Sequence, residues 1–416
     1  MTAPGELSRR LRTPDAVVIG LGSMIGAGVF AAFTPAAAAA GNGLLIGLVV
    51  AGVVALGNAM SSAVLAARFP TSGGTYAYGR EVLGAWWGFV AGWSFVIGKI
   101  ASCAAMALTF AAYAAPEGWS RVVAIAAVVA LAIVNYRGIT KTAAVTKVLV
   151  ALVVVALVVA VSAILLGPTA SWSLDQSDLL ASGPYGVLQS AGLLFFAFAG
   201  YARIATLGEE VVDPRRTIPR AIVIAFGIVV IVYGGIAVTL LGTLGAAGVA
   251  ESADPLARAV AASGASWADP VVRVGAALAS LGALVSLLAG IGRTMLAMAR
   301  RGDLPRWLGA VHPRFAVPHR ADVAMTVVIV AIIALADVRG AIAFSSFGVL
   351  LYYFVANVAA FRLDATGKGA RRAFAVVGGV GCCVLVVTLP PAAVIAGVLV
   401  VVIGVVGRLA TGRRRS

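Results

Sequence analysis

The chain has 416 residues, of which 61% are hydrophobic and only 11% charged, with a formal net charge of +15. A soluble domain of this length cannot hide so much apolar surface in one core, so lipid is the solvent. The basic excess alone would suit a nucleic-acid binder, but the basic residues sit in short clusters between apolar runs, which excludes nucleic acid as a partner and reads as membrane loops.

The apolar runs are continuous rather than alternating in units of about ten residues, which favours α-helices over a β-barrel. Twelve spans are predicted, at 15–39, 43–68, 82–113, 121–137, 142–167, 185–207, 218–243, 271–299, 321–336, 339–362, 373–389 and 391–409. The first follows Arg9, Arg10 and Arg12 and ends in an alanine tract, as a secretory leader would. It is too long for a leader's apolar core and many more spans follow, so it reads as a membrane helix. No soluble domain or long linker interrupts the series, and residues 1–416 read as one membrane domain.

With the N-terminus inside, 23 Lys/Arg fall in inside segments and 4 (Arg121, Arg258, Arg273, Arg339) in outside ones. This bias predicts a multi-pass protein of the cell (inner or plasma) membrane with both termini cytoplasmic. Lys99, Lys147, Arg203 and Arg293 are left within spans. Each costs of order 2.5–3.5 kcal/mol on insertion scales and asks for a reason.

The first span reads Gly20-Leu21-Gly22-Ser23-Met24-Ile25-Gly26-Ala27-Gly28-Val29-Phe30. Glycine weakens a helix by about 1 kcal/mol relative to alanine. Two readings are open: a small-residue packing face through Gly22 and Gly26, or a broken helix whose exposed N–H groups hold a carboxylate. The sixth span is interrupted near Gly200 and carries Arg203 in apolar sequence, between Phe195-Phe196-Ala197-Phe198-Ala199 and Glu209-Glu210. Interruptions at positions one and six imply two five-helix repeats, each opening with a broken helix, and such a pair points to a transporter's binding site.

Four stretches, in order and at matching spans, carry a resemblance over nearly the whole chain. They are Ile25-Gly26-Ala27-Gly28-Val29-Phe30, Pro70 to Gly79, Glu209 to Pro219, and Ala299 to Pro305 with His312-Pro313-Arg314. Together they resemble the amino acid–polyamine–organocation superfamily of permeases. The resemblance implies an all-α integral membrane protein of about 12 helices with a leucine-transporter-like inverted repeat. The first repeat would be 15–167 and the second 185–362, with two extra helices at 373–409. It also implies transport of amino acids or amines by proton symport, or by exchange, with no cofactor.

Carried over to this chain, the resemblance places a carboxylate-binding turn at Ile25, Gly26, Ala27 and Gly28. Ala27 stands where the family commonly has serine, so binding would rest on backbone N–H groups. It places an aromatic gate at Phe196 and amine-binding carbonyls at Ala197 and Ala199. Phe196 can cover a substrate or stack on a cation but offers no hydrogen bond. Ala202 stands where some exchangers have an acid. Lys99 falls on a site-facing turn of the third span; a salt bridge to Glu209 or Glu210 is the alternative.

Lys99, Lys147 and Glu209 are candidates for proton coupling. Lys147 sits about six positions from the family's lysine, at Val153, and can instead snorkel to the interface. Arg203 and Arg293 join Phe196 as gating candidates. Tyr76 and Tyr78, with Gly73 and Gly74, shape an inside loop that moves in transport or is simply a turn.

An enzyme needs a nucleophile–base pair, paired acids or metal ligands at membrane depth. The spans offer no histidine, no central acidic pair, and no metal-ligand spacing for Cys103, Cys382 and Cys383. His312 and His319 share a basic loop and read as ordinary loop residues. Broken helices with lone lysines suit an occluded site better than a pore. A nutrient sensor on the same fold would be expected to carry a soluble appendage.

Overall fold

The computed structural model describes residues 11–69, 73–138, 143–169, 172–173, 179–205, 207, 210–363 and 369–412. The described residues are helical, a helix lies at each of the twelve predicted spans, and ten stretches are long and apolar enough to cross a membrane. Span 1 is Thr13–Met24 followed, after an interruption, by Gly28–Ala31 and Phe33–Ala40. Spans 2 to 5 are Leu44–Arg68, Ala85–Ala114, Ser120–Tyr136 and Ala143–Leu166. Span 6 is Gly183–Phe198, a 3₁₀ turn Ala199–Tyr201, and Ala202–Ala205. Spans 7 to 12 are Pro214–Glu251, Asp269–Arg300, His319–Leu335, Val338–Leu363, Gly369–Thr388 and Pro391–Gly412. Helices satisfy their own backbone, which is why apolar sequence of this length takes that form in lipid.

Span 7 ends near its predicted bound at 243: Gly245, at φ 65° and ψ 169°, is not helical, and a further helical stretch runs on to Glu251. One feature departs from expectation. The inside stretch with Tyr76 and Tyr78, read as a loop or turn, is a helix, Gly74–Leu83. Burial explains it: both tyrosines are nearly inaccessible, and the Tyr78 ring stacks on Phe69 at 6.1 Å. Tertiary packing outweighs the weak helix propensity of glycine, threonine and tyrosine. A second short helix, Pro255–Ala262, lies between spans 7 and 8.

Spans 3 and 10 form the tightest pair. Gly98 and Gly348 face each other, and the Ser102 and Ser345 hydroxyls meet at 2.7 Å. Span 1 packs on span 7 as span 6 packs on span 2, and span 3 packs on spans 8 and 10 while span 8 packs on span 5. Span 12 turns Ile395, Leu399, Val402 and Ile403 outward, where only lipid suits them. The side of the bundle where span 1 begins and span 12 ends is here the basic face.

The two interruptions touch. A Cβ on Gly200 would lie 2.1 Å from the Ser23 carbonyl oxygen, so only glycine lets span 6 approach span 1 at this depth. Gly200→Ala is expected to push the two breaks apart and cost about 1–3 kcal/mol. A lowered apparent Tm of the purified protein checks it; an unchanged Tm would contradict the contact.

Candidate functional site

Span 1 ends its first half at Ile25, whose φ −78° and ψ 62° leave the helical region. The Ile25 N–H still reaches the Leu21 carbonyl at 2.6 Å, and the Gly26 N–H turns back to Met24 at 2.8 Å. A new helix starts from Ala27, whose carbonyl accepts from Phe30 and Ala31 at 3.1 Å each. The first turn of a helix lacks intrahelical acceptors. The N–H groups of Ala27, Gly28 and Val29 are in that position, and all three residues are buried. Buried N–H groups of this kind favour an anion.

Span 6 is interrupted more gently, tightening to 3₁₀ at Ala199–Tyr201. Its Ala197 lies so close to span 1 that a Cβ on Gly28 would meet the Ala197 Cα at 2.6 Å. Gly26, Ala27, Gly28, Ala197 and Ala199 therefore form one small-residue surface, closed from span 8 by Ala283, 3.2 Å from the Cβ position of Gly26. Phe195 and Phe198 are taken up in aromatic stacks with Tyr353 and Tyr233, whereas Phe196 lies outside them.

Two residues the sequence reading missed complete the breaks. The Tyr233 hydroxyl, from span 7, lies 2.6 Å from the Met24 carbonyl and 3.0 Å from that of Ala197. The Tyr353 hydroxyl, from span 10, donates to the Ala199 carbonyl at 3.2 Å. Carbonyls at a helix end have lost their intrahelical donors. One hydroxyl shared between two breaks, with a second beside it, meets that need and leaves lone pairs for a ligand's amine. A tyrosine in the middle of an apolar run was the available signal.

Lys99, on span 3, is buried, and among the described residues its ammonium makes no hydrogen bond or ion pair. Gly98 abuts span 10 at Gly348, the Phe95 ring lies 5.2 Å from Tyr352, and the next residue on span 10 is the Tyr353 that reaches Ala199. The alternative bridge to Glu210 does not form: the Glu210 charge faces Arg203, and the Glu210 carbonyl pairs with Leu11 at 3.0 Å. Glu209 lies outside the described residues.

Lys147 stands apart from this group. Half exposed, it forms an ion pair of 2.6 Å with Asp15 in the first turn of span 1. Val153, the position the family's lysine would take, is buried. Arg203 and Arg293 feel each other's charge across the space on the basic side of the breaks. Arg293 and Ser286 are exposed there, and a Cβ on Gly290 would meet nothing within 4 Å. Within a span, a charge so exposed faces water or protein rather than lipid.

The opposite side is joined by hydrogen bonds and ion pairs. Tyr113 of span 3 donates to the Phe30 carbonyl at 3.1 Å, and Thr34 to Ser252 at 2.8 Å. Arg273 of span 8 binds Asp269 at 2.8 Å, the Tyr113 carbonyl at 3.0 Å and Asp254 at 3.3 Å. Burial raises the Asp254 carboxyl above its usual range, against the pull of Arg273.

On the basic face, Asp303 gathers Tyr76 at 2.8 Å, Arg80 at 3.1 Å and Arg408 at 2.9 Å. Burial first, then the Asp303 carboxylate, push the Tyr76 hydroxyl up to about 12, so it keeps donating at neutral pH. An apolar cleft of ≈ 940 Å³ runs along the other face of span 3 by Trp93, Ile97 and Ala101 and includes none of the break residues.

Tyr233→Phe is expected to leave the Met24 and Ala197 carbonyls short of a donor, at about 1–3 kcal/mol. The apparent Tm should fall; a Tm equal to wild type would show that the hydroxyl is not needed there.

The sequence compares with known proteins as follows. The family model described as "Amino acid permease" matches residues 11–411. An uncharacterized transporter of Mycobacterium tuberculosis (strain H37Rv) is 55% identical over 420 residues, covering 99% of this chain and 94% of that protein. The branched-chain amino acid permease BcaP of Bacillus subtilis is 27% identical over 341 residues, 76% of this chain and 72% of its own. A chloroplastic cationic amino acid transporter of Arabidopsis thaliana, number 7, is 27% identical over 385 residues, 86% of this chain and 66% of its own.

Proposed function

Because this chain belongs to the amino acid permease family, we propose that it carries amino acids or related amines across the cell membrane by alternating access, driven by protons. The single observation that carries this reading is the contact between the two breaks: Gly28 against Ala197 and Gly200 against Ser23. It brings orphan N–H groups and helix-end carbonyls to one small surface at mid-membrane. A zwitterion needs both, its carboxylate at Gly26, Ala27 and Gly28 and its amine at Ala197 and Ala199.

The reading extends to the cycle. Residues 15–167 and 185–362 would be inverted repeats, since each opens with an interrupted helix and the contacts of span 1 with span 7 mirror those of span 6 with span 2. The basic face would be cytoplasmic, on the bias of 23 Lys/Arg to 4. The Arg273 cluster would then lock the outer side while Arg203 and Arg293 line an inner opening. Of the coupling candidates, Lys147 is engaged by Asp15, and Lys99 is the buried ammonium.

Gly28→Leu should abolish uptake into proteoliposomes while the protein still inserts, because the added side chain would collide with Ala197 and displace the two breaks. Normal uptake would sink the placement of the site. In sodium-free vesicles an inward proton gradient should drive concentrative uptake by wild type, and Lys99→Ala should lose that dependence. A variant that still concentrates substrate with the gradient would remove Lys99 from coupling. Exchange without any response to the gradient in wild type would replace symport by antiport.

A further inference from the structure

We infer that the substrate of this transporter is an acidic amino acid, or a close analogue with a second carboxylate, and that the Lys99 ammonium is the counter-ion of that distal group. The inference rests on the proposed amino acid site and names its substrate class.

A buried ammonium with no partner costs several kcal/mol. Lys99 is 8% exposed, and among the described residues no carboxylate or hydrogen-bond acceptor pairs with it. Its neighbours offer no compensation. Cys103 follows one turn later on span 3, and span 10 presents Tyr352 and Tyr353, whose hydroxyls are already engaged with Thr75 and Ala199. Of the elements packed against span 3, span 8 carries Asp269, Arg273, Arg293 and Arg300, span 12 carries Arg408, and the helix at 74–83 carries Arg80 and Glu81; Arg80 and Arg408 are held by Asp303 and Arg273 by Asp269.

No aspartate or glutamate occurs in 16–40, 85–114, 183–207, 272–300 or 338–363, the stretches that surround the breaks. Asp322, buried on span 9, lies against Gly292 of span 8 and makes no ion pair with Lys99. The site is therefore positive, with three N–H groups for one carboxylate and an ammonium for another. A lysine or arginine side chain would meet like charge there. An aliphatic side chain would leave Lys99 uncompensated. A carboxylate on a short chain meets the ammonium and compensates its charge.

Purified wild type is titrated with L-glutamate, L-aspartate, L-leucine and L-lysine, with binding read by calorimetry. Binding of either acid at least about tenfold tighter than of leucine, and more so than of lysine, is the expected result. Lys99→Met should lower the ratio of acid to leucine affinity at least about tenfold, and Lys99→Arg should retain a preference for acids. Leucine or lysine binding while neither acid does would overturn the acidic class and leave the amino acid site standing. So would an unchanged ratio in Lys99→Met. Failure of all four, and of the remaining common amino acids, would remove the site itself. The wild-type ratio decides the matter even where Lys99→Met does not fold.

Discussion

A helix that breaks in lipid strands its own backbone. Each N–H or C=O released at mid-membrane costs several kcal/mol unless a partner is found. The rest of this molecule can be read as the answer to two such breaks placed in contact. Gly200 and Gly28 remove the side chains that would hold them apart. Tyr233 spans both, and Tyr353 supplies the third carbonyl. The carbonyls are thereby partnered from spans 7 and 10, whereas the N–H groups that open the second half of span 1 lack intrahelical acceptors. On the proposed reading, this asymmetry makes the pair of breaks an anion site first.

Charge around the breaks is arranged with the same asymmetry. On one side Arg273 binds two aspartates and a carbonyl, joining span 8 to the end of span 3. On the basic side Asp303 ties the 74–83 helix to span 12 through Arg80 and Arg408. Arg408 also stacks over Trp86 and Phe89, at 4.4 Å and 4.7 Å. These clusters sit at opposite ends of span 8 and of the loop that follows it. A tilt of that span relative to span 1 would strain one cluster while sparing the other.

The spans were legible because lipid imposes one rule on the whole sequence, and the charge bias fixed their number. The broken first span was legible as well: Gly26 and Gly28 flank a turn that the structure contains. Lys99 was recognisable as a buried charge from its depth alone, and no described residue pairs with it. What was not legible depends on contacts between distant segments. Nothing near Tyr233 in sequence shows that its hydroxyl reaches Met24, 209 residues away. Arg408 looked like one more basic residue near the C-terminus, yet it meets Asp303 across the fold. Lys147 gave the opposite lesson, since its ion pair with Asp15 joins two spans whose sequences carry no mark of each other.

The central claim is that the paired breaks hold a substrate by its α-carboxylate and α-amine together. The most direct test is equilibrium binding of an L-amino acid substrate alongside its methyl ester and its N-acetyl derivative, to the same purified protein. The ester lacks the carboxylate that the N–H groups of Ala27, Gly28 and Val29 would hold, and the acetyl derivative lacks the amine for the Ala197 and Ala199 carbonyls. Binding of the free amino acid with loss of at least about a hundredfold for each derivative is the expected result. Equal binding of either derivative would contradict the account.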